Sequence, residues 1–244
     1  MKSVFVIGSG SRIAREFALL AALDGWSVVL GGRDMKQTEV TARDIALRSS
    51  AANVTPALLD LEQEKTVDDC IGRHISKGGL DGVFVASGIM PSESSMASSP
   101  ALFAKMAEVN YVGVVGLLEK LLPSLAPGEG TFASCLTSVA GDRGRGSNFR
   151  YGSTKAALST YLEGLSVSRS GQTLIQDVKL GPVDTPMNSG VRRAPFMISP
   201  DAAARAIWRG IHRGKPKLYV PAKWFWIMLA IRTIPAPIYR LLPL

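Results

Sequence analysis

Short apolar runs rich in β-branched and aromatic residues alternate along this chain with longer stretches of helical period. In order, the pattern predicts strands at 3–8, 27–31, 54–59, 81–86 and 131–137, a sixth ending before Gly181, and a seventh at 217–220. Between them it predicts helices near 11–24, 35–49, 63–77 and 100–122. Another opens at Ser199-Pro200-Asp201, where serine can cap and proline suits the first helical position. Val4-Phe5-Val6-Ile7-Gly8 and Gly82-Val83-Phe84-Val85-Ala86 are apolar at consecutive positions, not alternate ones. Strands buried on both faces have this pattern, and they belong to parallel sheets. The expected fold class is α/β, a single-domain doubly wound (Rossmann) parallel sheet of about seven strands with helices on both faces.

Composition narrows this without changing it. The 244 residues suit one large domain, with no linker, repeat or low-complexity tract to divide them. The first apolar run is too short for a signal peptide and ends in glycine, so it is expected to be a strand. Cys70 and Cys135 sit among apolar neighbours, as reduced core residues of a cytosolic protein do, and suggest neither a disulfide nor a metal site. The net charge of +8 is uneven: residues 192–244 hold ten Lys/Arg against one Asp, leaving the remainder nearly neutral. A local anionic partner fits that asymmetry better than nucleic acid does. Within this quarter, Trp224 to Ile231 are consecutively apolar, with Lys215, Lys217, Lys223, Arg232 and Arg240 around them. The run is shorter than the roughly 20 residues that span a bilayer. It must pack on a second subunit, cover a substrate cleft or lie on an anionic membrane surface, and the basic flanks favour the membrane.

Candidate chemistry lies at the strand ends. The turn Gly8-Ser9-Gly10-Ser11-Arg12-Ile13-Ala14 joins the first strand to a helix, where a pyrophosphate would meet backbone N–H groups. The second strand ends at Gly31-Gly32-Arg33, with an arginine suited to a 2′-phosphate where an acid would bind a 2′-hydroxyl. Asp60, just past the third strand, could bind an adenine amino group or simply serve the turn. Tyr151 and Lys155 are four apart, hence on one helix face. A tyrosine has an ordinary pKa of about 10, and a nearby ammonium favours its phenolate. Ser138 ends an apolar run and could hydrogen-bond the same substrate oxygen. The Tyr-Lys pair alone also arises on solvent-facing helices; serine, tyrosine and lysine beside a nucleotide fold suggest a carbonyl/alcohol site. Asn110, polar on an apolar helix, needs a partner and could serve a kink. Arg143, Arg145 and Arg150, with Arg192 or Arg193, are candidates to hold a substrate phosphate.

Together, Ser138, Tyr151-Gly-Ser-Thr-Lys155, Asn110, the glycine turn, Asp60 and Gly181-Pro182-Val183-Asp184-Thr185 resemble the short-chain dehydrogenase/reductase family over nearly the whole chain. The resemblance implies an NAD(P)-dependent oxidoreductase acting on CH–OH or C=O groups. Tyr151 would be its general acid/base, Ser138 its carbonyl orienter, Lys155 would bind the nicotinamide ribose, and Asn110 would hold a relay water. The cofactor residues would be Gly8, Ser11, Arg12, Ile13, Arg33, Asp60, Leu61, Gly88, Lys155, Gly181, Val183 and Thr185. NADP(H) is favoured over NAD(H), and no metal is expected. The family's Asn-Asn-Ala-Gly is Val85-Ala86-Ser87-Gly88 here, its proline before Gly181 is Leu180, and a turn glycine is Arg12.

The glycine turn and the segment Tyr219 to Met228 are similar to those of a bacterial branch, the decaprenylphosphoryl-2-keto-erythropentose reductases. These enzymes reduce a keto-sugar carried on a polyprenyl phosphate. The expected organisation is a reductase domain over 1–221 with a substrate lid at 184–198, then an apolar, basic extension at 222–244. The expected partners are a small or lipid-linked keto substrate, the inner face of the cell membrane through 222–244, and a second copy of this chain through helices 100–122 and 151–168. A cytoplasmic location follows. A soluble ketone or 3-oxoacyl reductase and a non-catalytic dinucleotide sensor are the alternatives.

Overall fold

The consecutive apolar runs are strands covered on both faces: every residue of Gly82–Val85 and of Phe132–Leu136 is buried. The computed structural model describes residues 1–50, 53–75, 79–126, 128, 130–188 and 195–242. It holds β1 (Ser3–Ile7), β2 (Ser27–Gly32), β3 (Val54–Leu58), β4 (Gly82–Val85), β5 (Phe132–Leu136), β6 (Leu174–Leu180) and β7 (Lys217–Val220). They form one sheet in the order β3-β2-β1-β4-β5-β6-β7, and every pairing is parallel. Because side chains alternate along a strand, β1 sends Val4 and Val6 into one core and Phe5 and Ile7 into the other.

The helices are α1 (Arg12–Leu23), α2 (Met35–Ser49), α3 (Glu64–His74), α4 (Glu93–Ala97), α5 (Pro100–Ala107), α6 (Gly113–Leu121), α7 (Phe149–Ser168), α8 (Pro200–His212), α9 (Lys223–Thr233) and α10 (Ala236–Tyr239). Phe17 of α1 stacks on Phe84 at 4.0 Å and meets Trp208 of α8 edge-on at 5.2 Å. The Trp208 indole donates to Asp24 at 2.7 Å, so its one polar atom is satisfied where the ring is buried. On the opposite face, leucines of α6 and α7 join Val83, Val85 and Cys135. The expected cap at Ser199 is present, accepting from Ala202 N–H ahead of Pro200, and Ser11 caps α1 by accepting from Ala14 N–H.

Three features depart from the expected elements. The single helix at 100–122 is broken by a π-helical turn at Glu108–Val112, with Asn110 fully buried in it. The short helix α4 was not anticipated; Ser92 caps it by accepting from Ser95 N–H. The apolar tail is covered on one side only. Trp224 and Met228 of α9 pack with Val139, whereas Phe225, Trp226 and Leu229 face outward, Trp226 at 69% exposure.

A buried ionic network ties these parts together. Lys179 of β6 pairs with Asp142 at 2.8 Å and Asp177 at 3.5 Å, and donates to Ser159 of α7 at 2.7 Å. Asp142 also accepts from the Tyr219 hydroxyl at 2.8 Å, and Asp177 accepts from Thr137. Removing one member leaves carboxylates buried without their counter-charge. Lys179→Met should therefore lower unfolding free energy at pH 7 by about 3 kcal/mol or more in urea titrations. An unchanged midpoint would mean the carboxylates are held without the lysine.

Candidate active site

Strand order reverses between β1 and β4, so the connections leaving those strands diverge and open a crevice at their C-terminal ends. The crevice is a cleft of about 690 Å³. Gly8, in a left-handed conformation at φ +104°, lets the first turn pass against Ser87, whose backbone nitrogen would lie 3.0 Å from an added Cβ. Gly10 instead faces open space. The first N–H groups of α1, at Arg12 and Ile13, have no intrahelical acceptor by helix geometry and stand at this opening.

Every expected catalytic and cofactor residue except Asn110 lines the cleft, from Gly8, Ser11, Arg12, Ile13 and Arg33 through Asp60, Leu61 and Gly88 to Ser138, Tyr151, Lys155, Gly181, Val183 and Thr185. Asn110 lies behind the wall. Its Oδ1 accepts from Ile89 N–H at 2.8 Å, and its Nδ2 donates to the Ile89 carbonyl and to Thr154 Oγ1. The side chain thus holds the loop after β4 to α7 and does not reach into the cleft. Asp60 has both carboxylate oxygens engaged locally, by Glu62 N–H and Gln63 Nε2, and so shapes its turn.

The cleft's dimensions and donors fit a dinucleotide. A run of backbone N–H groups at α1 suits a pyrophosphate, and the exposed Arg33 just past β2 has no carboxylate within ion-pair distance among the described residues. Ser9 and Gly10, the rest of the expected pyrophosphate turn, line the cleft as well.

At the other end, Tyr151 is buried beside Ser138, whose hydroxyl donates to the Leu180 carbonyl at 3.4 Å and accepts from Ala140 N–H at 3.1 Å. Lys155 Nζ lies 6.0 Å from the Tyr151 ring centre and donates to the Leu136 carbonyl at 3.0 Å. Burial pushes the Tyr151 phenol up to about 12, and the neighbouring Ser138 hydroxyl only partly opposes it. The expectation that Lys155 makes this phenol acidic therefore does not hold in the protein alone. Burial dominates at both groups, and it pushes the Lys155 ammonium down to about 8 against the nearby Asp177 carboxylate.

The loop arginines separate into different roles. Arg150 pairs with Glu93 at 2.6 Å and stacks on Phe149, and Arg143 donates to the Ile231 carbonyl with its guanidinium 3.7 Å from the Tyr239 ring centre. Both are structural ties, which corrects their assignment to a substrate phosphate. Arg145 lines the cleft. Arg192 and Arg193 fall outside the described residues, as does the middle of the expected lid, 189–194. Asn148 and Trp224 also line the cleft without having been anticipated. Trp224 arrives from α9, and no local motif announces it. Its indole Nε1 lies 2.0 Å from where a Cβ on Gly181 would stand.

The short chain dehydrogenase family model matches residues 2–195. An uncharacterized oxidoreductase of Streptomyces coelicolor is 31% identical over 247 residues, covering 98% of this chain and 95% of the relative. Another, from Mycobacterium tuberculosis, is 28% identical over 98% of this chain and 96% of its own length. Among solved structures, a short-chain dehydrogenase from Sphingobium yanoikuyae in complex with NADPH superposes with a TM-score of 0.81 at 20% identity, covering 97% of both chains. An alcohol dehydrogenase from the archaeon Thermococcus sibiricus, complexed with 5-hydroxy-NADP, gives 0.77 at 23% identity over 90% of this chain and 95% of its own. The chain belongs to the short-chain dehydrogenase/reductase family and is an oxidoreductase of alcohol and ketone groups.

The shifted lysine carries a stability consequence. Between pH 8 and its ordinary 10.5, Lys155 binds more protons unfolded than folded, so its contribution to stability rises with pH across that window. Tyr151 acts oppositely above pH 10, where the unfolded phenol ionises first. Lys155→Met should raise unfolding free energy at pH 7 by about 1–3 kcal/mol and abolish the gain between pH 7 and 10. A variant less stable at pH 7, with the gain intact, would show that the ammonium is fully compensated in place.

Proposed function

We propose that this protein is an NADP(H)-dependent ketoreductase that works at a membrane surface on an amphiphilic keto substrate, such as a lipid-linked or phosphorylated keto-sugar. The observation that carries the chemistry is the buried Tyr151 phenol, beside Ser138 and near Lys155 at the end of a dinucleotide-sized cleft. A bound nicotinamide would supply a hydride to the carbonyl carbon, or remove one from the alcohol. Ser138 orients the substrate oxygen through its hydroxyl. Tyr151 gives that oxygen a proton in reduction and accepts one in oxidation, and a phenol held protonated by burial suits the reducing direction. Lys155 would bind the ribose hydroxyls of the nicotinamide half. Asn110 is a positioning residue, because it locks the β4 loop to α7.

At the cofactor, Gly8, Ser11, Arg12 and Ile13 would hold the pyrophosphate, and Arg33 the 2′-phosphate. Asp60, Leu61 and Gly88 would line the adenosine side, and Gly181, Val183 and Thr185 the nicotinamide side. The NADP(H) carried by the solved structural neighbours supports this preference. The substrate class is supported by the resemblance to keto-sugar reductases and by α9, whose outer face presents Phe225, Trp226 and Leu229 close to Arg232 and Lys223. One side of that helix lines the cleft and the other would rest on anionic lipid at the inner face of the cell membrane. Pairing of α7 with a second copy is part of the same proposal.

Tyr151→Phe should lower kcat for NADPH-dependent reduction of a keto-sugar by about a thousandfold while leaving NADPH affinity within twofold. Turnover that survives this change would remove the proton donor from the scheme. For the membrane, a Phe225→Ser/Trp226→Ser/Leu229→Ser variant should lose sedimentation with phosphatidylglycerol vesicles. If the variant and the parent partition equally, or if the parent is instead a dimer that the variant dissociates, the outer face belongs elsewhere.

A further inference from the structure

The chemistry above leaves three buried polar atoms of the cleft walls without hydrogen-bond partners: Nε of Arg145, Oδ1 of Asn148 and Nε1 of Trp224. A native chain rarely leaves such groups empty, since each forgoes about 1–3 kcal/mol. Unlike Arg150, Arg145 has no carboxylate in ion-pair range among the described residues, and it lacks the carbonyl and ring contacts that hold Arg143. Asn148 stands at the N-cap of α7, where an asparagine side chain ordinarily accepts a helix N–H. Here it makes no such bond, and its backbone N–H reaches the Arg145 carbonyl at 3.2 Å, so the two residues are neighbours. Trp224 is 7% exposed, and its indole occupies the space that a Gly181 side chain would need, which fixes its N–H at the cleft wall.

Indole nitrogen only donates, and a guanidinium donates and carries charge, so what satisfies each must be an acceptor and, at the guanidinium, is best an anion. The dinucleotide's phosphates fall to the Gly8 turn and Arg33, on other elements. We propose that Arg145 and Trp224 form a subsite for an oxyanion, phosphate or carboxylate, carried by the substrate away from its reacting carbonyl, while Asn148 Oδ1, an acceptor, takes a hydroxyl of the same substrate. The subsite rests on the ketoreductase reading for the identity of its ligand as substrate. It makes the C-terminal helix a determinant of specificity, because one of its two donors comes from α9.

The test is calorimetric titration of the full chain saturated with NADP⁺, using sn-glycerol 3-phosphate, glycerate and uncharged glycerol as probes. The two anionic probes distinguish phosphate from carboxylate. The parent should bind at least one of them and not glycerol. Arg145→Gln and Trp224→Phe, the latter keeping a ring over Gly181, should each weaken that binding by about tenfold with NADP⁺ affinity unchanged. Equal binding by parent and both variants, or no anion binding by the parent, overturns the subsite. So does a Trp224→Phe protein with weakened NADP⁺ binding, because the donor would then serve the cofactor. If the parent binds no NADP⁺, the dinucleotide reading fails, and the same titrations without NADP⁺ judge the subsite separately.

Discussion

Lys155 keeps an ammonium in a place that burial penalises, held by the Leu136 carbonyl and by the field of Asp177, and this dictates how its neighbours sit. Strand β5 must end where its last carbonyl can accept from that nitrogen. Helix α7 must run close against the turn that follows β5. Two glycines permit the approach: a Cβ at Gly152 would lie 2.6 Å from the Ala140 carbonyl oxygen, and one at Gly141 would lie 2.8 Å from Ala156 nitrogen. That contact brings Ser138 across from Tyr151. Behind it, Asp177 is tied through Lys179 to Asp142 and from there to Tyr219, so the base of the site and the start of the tail share one set of charges.

The order of strands and helices was legible because its signals are local. Unbroken apolar runs separate strands buried on both faces from half-exposed ones, and Ser199 and Pro200 mark a helix start by chemistry that acts within one turn. The residues of the cleft were legible for a related reason, since each stands at a strand end or the start of a helix, where topology alone brings them together. The π-helical turn around Asn110 was less accessible. A buried amide in an apolar helix announces that it needs partners, but not that those partners are Ile89 and Thr154.

What escaped the sequence depends on distance in the chain. Arg143, Arg145 and Arg150 look equivalent in order, yet Glu93 takes one and the tail takes another, leaving the third in the cleft. The state of Tyr151 escaped for an energetic reason. Spacing places a lysine near a phenol, but the sign of the resulting shift is set by how much water the fold removes from both, and that is a property of the packed core.

The close seating of Trp224 on Gly181 couples two positions more than forty residues apart in sequence. Neither can drift alone: any larger residue at 181 evicts the indole, and any smaller one at 224 leaves a hole beside the strand. Relatives should therefore exchange both together or neither, so a library that randomises these positions one at a time would miss the neutral path between cleft shapes.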